Sequence, residues 1–63
     1  MLLVDQKDIY IKDYEKIILM EENFLHVIMQ GFSLSVEGQH LEIQYLDHNE
    51  IHLSGEIKVI RYV

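Results

Sequence analysis

The stretch from Ser33 to Tyr45, SLSVEGQHLEIQY, decides the fold of this chain. Apolar Leu34 and Val36 alternate with polar residues, and after Gly38 an apolar residue again follows at every second position. A period of two buries one face of a strand and leaves the other face in water. The stretch therefore predicts two half-buried strands that meet at a glycine.

Shorter runs of the same kind, separated by polar breaks, predict strands through the rest of the chain. These runs are Met1–Val4, Asp8–Lys12, Lys16–Met20, Phe24–Met29, Glu50–Leu53 and Glu56–Val63. Short turns without helical crossovers favour antiparallel pairing in a small β-meander. The glycines predicted to be structural turn residues are Gly31, Gly38 and Gly55. The predicted fold class is therefore all-β, as a single domain over residues 1–63.

Two alternatives to this meander stay open from the sequence. Residues 13–29 carry an approximate helical stripe, although the run Ile-Ile-Leu-Met within them is apolar on every side and favours a strand. A faint repeat, which places Ile17, Leu34 and Ile51 at equivalent positions, would fit a short β-solenoid. Hairpins of even length explain the same rhythm equally well.

Apolar residues on both sides of several predicted strands limit how the sheet can be arranged. The presumed core set is Ile9, Ile11, Ile17, Leu19, Leu25, Val27 and Val59. The predicted interaction surface, on the opposite side, is Tyr10, Ile18, Met20, Phe24, Ile28, Ile60 and Tyr62. One small flat sheet cannot cover both sets, so it either curls into a roll or two-layer sheet or meets another chain. Since strand edges without proline also offer unpaired backbone groups, we expect a homo-oligomer.

Composition and charge exclude several classes of function. The 63 residues carry a formal charge of −6, and no Lys or Arg occurs between Ile17 and Ile57. Nucleic-acid binding needs clustered cations, so we expect no nucleic-acid partner. Cysteine is absent, which rules out disulfides, thiolate zinc sites and cysteine nucleophiles. The apolar start Met1–Val4 is too short for a signal sequence or a membrane span, so we expect a cytoplasmic protein.

The residues that most resemble a chemical site are histidines. His48 and His52 have a spacing that would join them on one helix face, but here one is predicted in a turn and the other in a strand. His40, Glu42 and His52 are expected to form a polar strip on the outer face. There is no nucleophile elbow and no phosphate-binding glycine loop. We therefore predict no catalytic residue, no metal, no cofactor and no small-molecule substrate.

The acidic residues give a second hypothesis for function. Glu37, Glu42, Asp47 and Glu50 all belong to the part of the chain that lacks cations. If they shared one face, the chain would suit a small acidic regulatory or inhibitor protein that binds a basic partner.

The order of motifs resembles the YabP/YqfC family, sporulation proteins of endospore-forming Firmicutes. The resemblance rests on I-x-I-x-D-Y-x-x-I from Ile9 to Ile17, L-x-V from Leu25 to Val27 and L-x-V-x-G-x-x-L-x-I from Leu34 to Ile43. It continues with I-x-L-x-G-x-I-x-x-I-x-Y from Ile51 to Tyr62. Together these segments span nearly all of the chain after Asp8.

This resemblance implies a non-enzymatic role during endospore formation, in the cytoplasm of the mother cell or peripheral to a membrane. Relatives are encoded beside integral membrane sporulation proteins, which implies a membrane-protein partner. The family has no catalytic residues to transfer onto this chain.

Overall fold

A computed structural model describes residues 1–5 and 7–63, and these form six strands and no helix. The strands are β1 (Leu2–Asp5), β2 (Asp8–Lys12), β3 (Lys16–Glu21), β4 (Phe24–Ile28), β5 (Ser33–Leu46) and β6 (Glu50–Tyr62). They form one antiparallel sheet in the order β1-β2-β6-β5-β4-β3. The all-β prediction is confirmed. The helical alternative is wrong because β3 and β4 occupy its residues, and antiparallel pairing excludes the solenoid.

The sheet follows the order of the sequence only in part. Strands β3 to β6 form a meander, whereas the β1–β2 hairpin joins the sheet beside β6. The connection from β2 to β3 is held at both sides, since the Asp13 amide donates to the Asn49 carbonyl (2.7 Å) and the Glu15 amide to the Ile28 carbonyl (2.8 Å). The Tyr14 hydroxyl also donates to the Asp47 carbonyl at 2.6 Å. This connection therefore fixes the two parts of the sheet relative to each other.

Strands β5 and β6 must bend to fit into the molecule. A straight strand of 14 residues spans about 45 Å, but the greatest extent of the molecule is 26 Å. The pairing of β5 with β6 is interrupted between Gln39 and Glu42, opposite Gly55. The prediction of separate strands on either side of Gly38 is thus wrong, because Gly38 and Gly55 lie inside continuous, bent strands. Gly31 lies in the connection between β4 and β5, with φ of 87°.

The bends divide the sheet into two half-sheets. The first half-sheet contains β1, β2, residues 50–54 of β6 and residues 42–46 of β5. The second contains β3, β4, residues 33–37 of β5 and residues 59–62 of β6. The connection at residues 22–23 packs on the bend, since the Asn23 carbonyl accepts from the Gly38 amide (3.1 Å) and the Glu22 carbonyl from the Leu41 amide (2.7 Å).

Each half-sheet supplies four fully buried side chains to one core. They are Ile9, Ile11, Ile51 and Leu53 from the first half-sheet and Leu25, Val27, Leu34 and Val36 from the second. Because an uncovered sheet would leave these side chains in water, the two half-sheets must cover each other. The result is an open roll, with β1 and β3 as its edge strands. The predicted core positions Ile9, Ile11, Leu25 and Val27 are confirmed.

A β-bulge in β3 reverses the faces that the sequence predicts there. Ile17 pairs with Val27 and Leu19 pairs with His26, so Ile18 is an extra residue. An extra residue moves all later side chains to the opposite face. Leu19, predicted in the core, is therefore 43% exposed, and Met20, predicted on the opposite side, packs against the core.

A second bulge has the same effect in β6. Val59 pairs with Glu37 and Ile57 with Gly38, so Lys58 is the extra residue. Val59, predicted in the core, lies on the outer side with Glu37. Ile60, predicted on the outer side, packs against the core instead.

Replacing Gly38 is expected to destabilise the bend severely. A Cβ at this position would lie 2.0 Å from the Glu56 carbonyl oxygen, which belongs to the backbone and cannot move aside. We expect Gly38→Ala to lower the free energy of unfolding by about 3 kcal/mol or more. Gly31→Ala is the control, because nothing lies within 4 Å and only its left-handed φ is strained, at about 1–2 kcal/mol. Urea denaturation measures both, and equal losses would contradict this account of Gly38.

Candidate interaction surface

The outer face of the second half-sheet carries apolar side chains on the β3–β4 hairpin. Leu19, Phe24 and Ile28 point away from the core, since their neighbours Met20, Leu25 and Val27 point into it. We call Leu19, Phe24 and Ile28 the outer patch. His26 lies among them, opposite Leu19 in the pairing, with its ring 6.4 Å from that of Phe24. Ile18, the bulge residue beside the patch, is 48% exposed.

Polar and charged residues surround the outer patch. Ser33 and Ser35 occupy the next strand on the same face. Beyond Ser35, the Arg61 guanidinium lies 2.7 Å from the Glu37 carboxylate. The patch is therefore a limited apolar area with a polar border, which is the usual composition of a protein contact surface.

The structure brings together only part of the predicted interaction surface. Ile18, Phe24 and Ile28 belong to the same β3–β4 hairpin, and Tyr10 lies on the outer face of the other half-sheet. Met20 and Ile60 are wrongly placed by the sequence prediction, as described above. Tyr62 pairs with Leu34, on the core side, and its exposed ring lies 5.8 Å from that of Phe32.

Leu19 is the member of the outer patch that the sequence prediction missed. Regular alternation along β3, without a bulge, predicts Leu19 in the core. No glycine or proline marks the bulge at Ile18, so the sequence contains no signal that would have revealed it.

The outer face of the first half-sheet has a different composition. The Tyr10 ring stacks on His52 with centroids 4.3 Å apart, and His52 Nε2 lies 2.9 Å from Asp8 Oδ1. At the end of the same strands, the Lys12 ammonium lies 3.7 Å from the Glu50 carboxylate. Leu3, opposite Tyr10, and Tyr45, opposite His52, lie on the same face and are 45% and 51% exposed, so this face mixes paired polar groups with exposed apolar side chains.

The predicted polar strip of His40, Glu42 and His52 does not form. His52 pairs across the sheet with Tyr45, whereas His40 lies at the bend of β5 with φ of 54°. His40 Nδ1 is 3.5 Å from Glu22 Oε1, and both side chains are largely exposed.

The four acids of the inhibitor hypothesis do not share a face. Glu37 lies on the outer face of the second half-sheet and contacts Arg61. Glu42 and Glu50 lie on the outer face of the first half-sheet, and Asp47 is in the turn between β5 and β6. A basic partner would therefore meet these carboxylates on different sides of the molecule.

Asp47 uses its carboxylate to hold this turn together. Its Oδ1 accepts hydrogen bonds from the amides of Asn49 and Glu50, both at 2.8 Å, and its Oδ2 accepts one from the Tyr45 hydroxyl at 2.8 Å. The Asn49 amide, then the Tyr45 hydroxyl and the Glu50 amide, lower the pKa of Asp47 below its ordinary 3.8. The hydrogen bond to Asp47 and its negative charge raise the pKa of Tyr45 above 10.0.

The described residues form no cluster of metal ligands, and they line a polar groove at the bend. Across residues 1–5 and 7–63, no group of three or more His, Asp or Glu side chains could hold a metal ion. A groove of about 500 Å³ lies at the bend, and its lining is polar: Glu21, Glu22, Asn23, Gln39 and His40. In the same part of the chain, no helix has the length and apolar character needed to cross a membrane.

A comparison with protein-family models matches residues 1–63 to the YabP family. Neither the curated proteins nor the solved structures give a match.

Asp47→Ala is expected to lower the pKa of Tyr45 towards 10, because it removes both the hydrogen-bond acceptor and the nearby negative charge. NMR titration of ring-labelled tyrosine measures this shift, with Tyr10 and Tyr62, which do not contact Asp47, as internal controls. In the same variant, the stability of the turn should no longer fall when the pH is lowered. The folded pKa of Asp47 is depressed, so its stabilising effect is present above about pH 4 and lost as the pH falls through the lower folded value. An unchanged Tyr45 titration would contradict the contact.

Proposed function

Because the chain belongs to the YabP family, we propose that it serves endospore formation in the mother cell by binding other proteins, without catalysing a reaction. Membership suggests a sporulation-related role, and YabP is not a known enzyme family. The binding role is our inference from the surface of the molecule.

The observation that carries this proposal is the outer patch. The inner face of this half-sheet supplies the core, yet its outer face also carries the apolar side chains of Leu19, Phe24 and Ile28, of which Leu19 is 43% exposed. Apolar side chains left on an outer face often mark a place where another molecule binds. The other outer face differs in that charge pairs and the stacked Tyr10 and His52 lie among its exposed apolar side chains, Leu3 and Tyr45.

The partner that fits best is a membrane-associated sporulation protein. The resemblance to proteins encoded beside integral membrane sporulation proteins supports this choice. The polar border of the patch, which includes Arg61 and Glu37, favours a protein over a lipid surface because it gives a partner fixed hydrogen-bonding positions. The net charge of −6 also disfavours direct contact with anionic lipid.

Phe24→Ser tests the outer patch in cells. We expect at least about a tenfold loss of heat-resistant spores, since apolar anchors at interface centres commonly contribute more than 1.4 kcal/mol, the equivalent of tenfold in binding. Tyr10→Ser is the matched control: it also removes a half-buried aromatic ring from the outer face of the second strand in from an edge, but in the other half-sheet. Thermal unfolding of both purified variants checks that they fold. Equal spore counts for the two variants would refute the assignment of the patch.

Binding at different salt concentrations separates this proposal from the acidic-inhibitor hypothesis. Screening shortens the range of surface electrostatics from about 10 Å at 0.1 M to about 3 Å at 1 M salt, and apolar contact survives this change. We expect the immobilised protein to retain its partner from detergent-solubilised membranes of sporulating cells at both concentrations, and Phe24→Ser to retain less. Release of the partner at high salt would favour the acidic alternative.

A further inference from the structure

Strand β3 (Lys16–Glu21) has a hydrogen-bonded neighbour on one side only. It pairs with β4, and it forms one end of the six-stranded sheet. Its sequence, KIILME, contains no proline, and the side chains at its centre, Ile18 and Leu19, are 48% and 43% exposed. An edge strand of this kind can accept another strand as a continuation of the sheet.

The sequence of β3 is complementary in charge to the same sequence running in the opposite direction. Its first residue is the cation Lys16, its last is the anion Glu21, and the four residues between them are apolar. If two copies run antiparallel and their strands are aligned end to end, Lys16 of each copy lies opposite Glu21 of the other. Ile17 then lies opposite Met20, and Ile18 opposite Leu19.

We propose that two copies of this chain pair antiparallel along β3 in this register, and so form a symmetric dimer with one continuous sheet. The proposal deepens the proposed function, because the dimer places the two outer patches side by side on one surface.

The bulge in β3 makes this register possible. Opposite residues in a sheet must lie on the same face, and in a regular strand positions 16 and 21 would lie on opposite faces. The extra residue Ile18 restores the match, since Lys16 pairs with Ile28 and Glu21 with Phe24, both on the outer face. Likewise Ile17 and Met20 both point to the core side. The Lys16–Glu21 and Ile17–Met20 pairs therefore bring together side chains on matching faces.

Pairing would also complete the burial of the core at this edge. Ile17 and Met20 pack against the core but are only partly buried, because no strand lies beyond them. A second β3 would place Met20 of one copy beside Ile17 of the other, so that the two cores become continuous. Burial of these side chains and of Ile18 and Leu19 would supply the apolar contribution to association.

The other edge strand, β1 (Leu2–Asp5), lacks this complementarity. Its sequence, LLVD, has an anion at one end and no cation at the other. End-to-end antiparallel pairing would set Leu2, on the core side, opposite Asp5, on the outer side, because this strand has no bulge. The charge pattern and the faces therefore both select β3.

The charges at the ends of β3 allow a direct test by exchange. Light scattering coupled to size exclusion, over a concentration series at low salt, is expected to show a dimer. Lys16→Glu alone and Glu21→Lys alone should each raise the dissociation constant at least about tenfold, because each creates two like-charged pairs in the symmetric dimer. The double variant restores both attractive pairs and should restore dimerisation. Lys7→Glu and Glu42→Lys are the controls, since they change the net charge equally but lie away from β3.

Cysteine cross-linking tests the register itself, and the chain has no cysteine of its own to interfere. Opposite residues in an antiparallel pair have Cα atoms about 4.5–5.5 Å apart, within the range that a disulfide can bridge. A mixture of Lys16→Cys and Glu21→Cys proteins under mild oxidation should therefore yield mainly the mixed disulfide. Mass spectrometry of the linked peptides identifies it.

Three results would overturn the proposal: a monomer at every concentration, a dimer that resists both charge reversals, or random disulfide formation between the two cysteine variants. A monomer would mean that the bulge protects the edge against pairing. These results are independent of the test of function, because Phe24 lies on β4 and its replacement leaves the edge of β3 intact. A monomer whose Phe24→Ser variant still loses spores would refute the dimer and keep the binding role.

Discussion

The close contact between β5 and β6 at their bends is the constraint on which the rest of the structure depends. A side chain at Gly38 would meet the backbone of Glu56, and one at Gly55 would meet the His40 carbonyl oxygen at 2.6 Å. Two glycines thus let the two longest strands bend together while they stay paired. Without this bend the sheet would be flat, and its eight fully buried aliphatic side chains would have no cover.

The same bend explains why the two outer faces differ. Folding the sheet over on itself leaves each half-sheet with one face in water, and the sequence covers these two faces differently. The first half-sheet has a stacked Tyr10–His52 pair and an ion pair between Lys12 and Glu50. The second half-sheet has apolar residues on its edge hairpin. Its ion pair, between Arg61 and Glu37, joins β5 and β6, farther from that edge. The two outer faces consequently differ in where their charge pairs lie relative to their apolar side chains.

The sequence predicted the strands well because alternation is a local property, and it predicted four core positions in β2 and β4 for the same reason. It failed beyond Ile18 and Lys58, where bulges reverse the faces of Leu19, Met20, Val59 and Ile60. These bulges arise from pairing with other strands and leave no mark on the local sequence. The position of β2 beside β6 was equally hidden, because contact between distant segments depends on packing of the whole chain.

The position of β6 has a consequence for how the protein is made. This strand is the last of the six to leave the ribosome, yet it lies in the interior of the sheet, between β2 and β5. The β1–β2 hairpin has no other strand to join, so Ile9 and Ile11 stay in water until β6 appears. Pairing across so long a stretch of chain also slows folding, because the intervening chain loses conformational entropy before the stabilising contacts form. A nascent chain of this protein therefore exposes core residues until β6 is available to pair, and during that interval the exposed apolar surface favours aggregation.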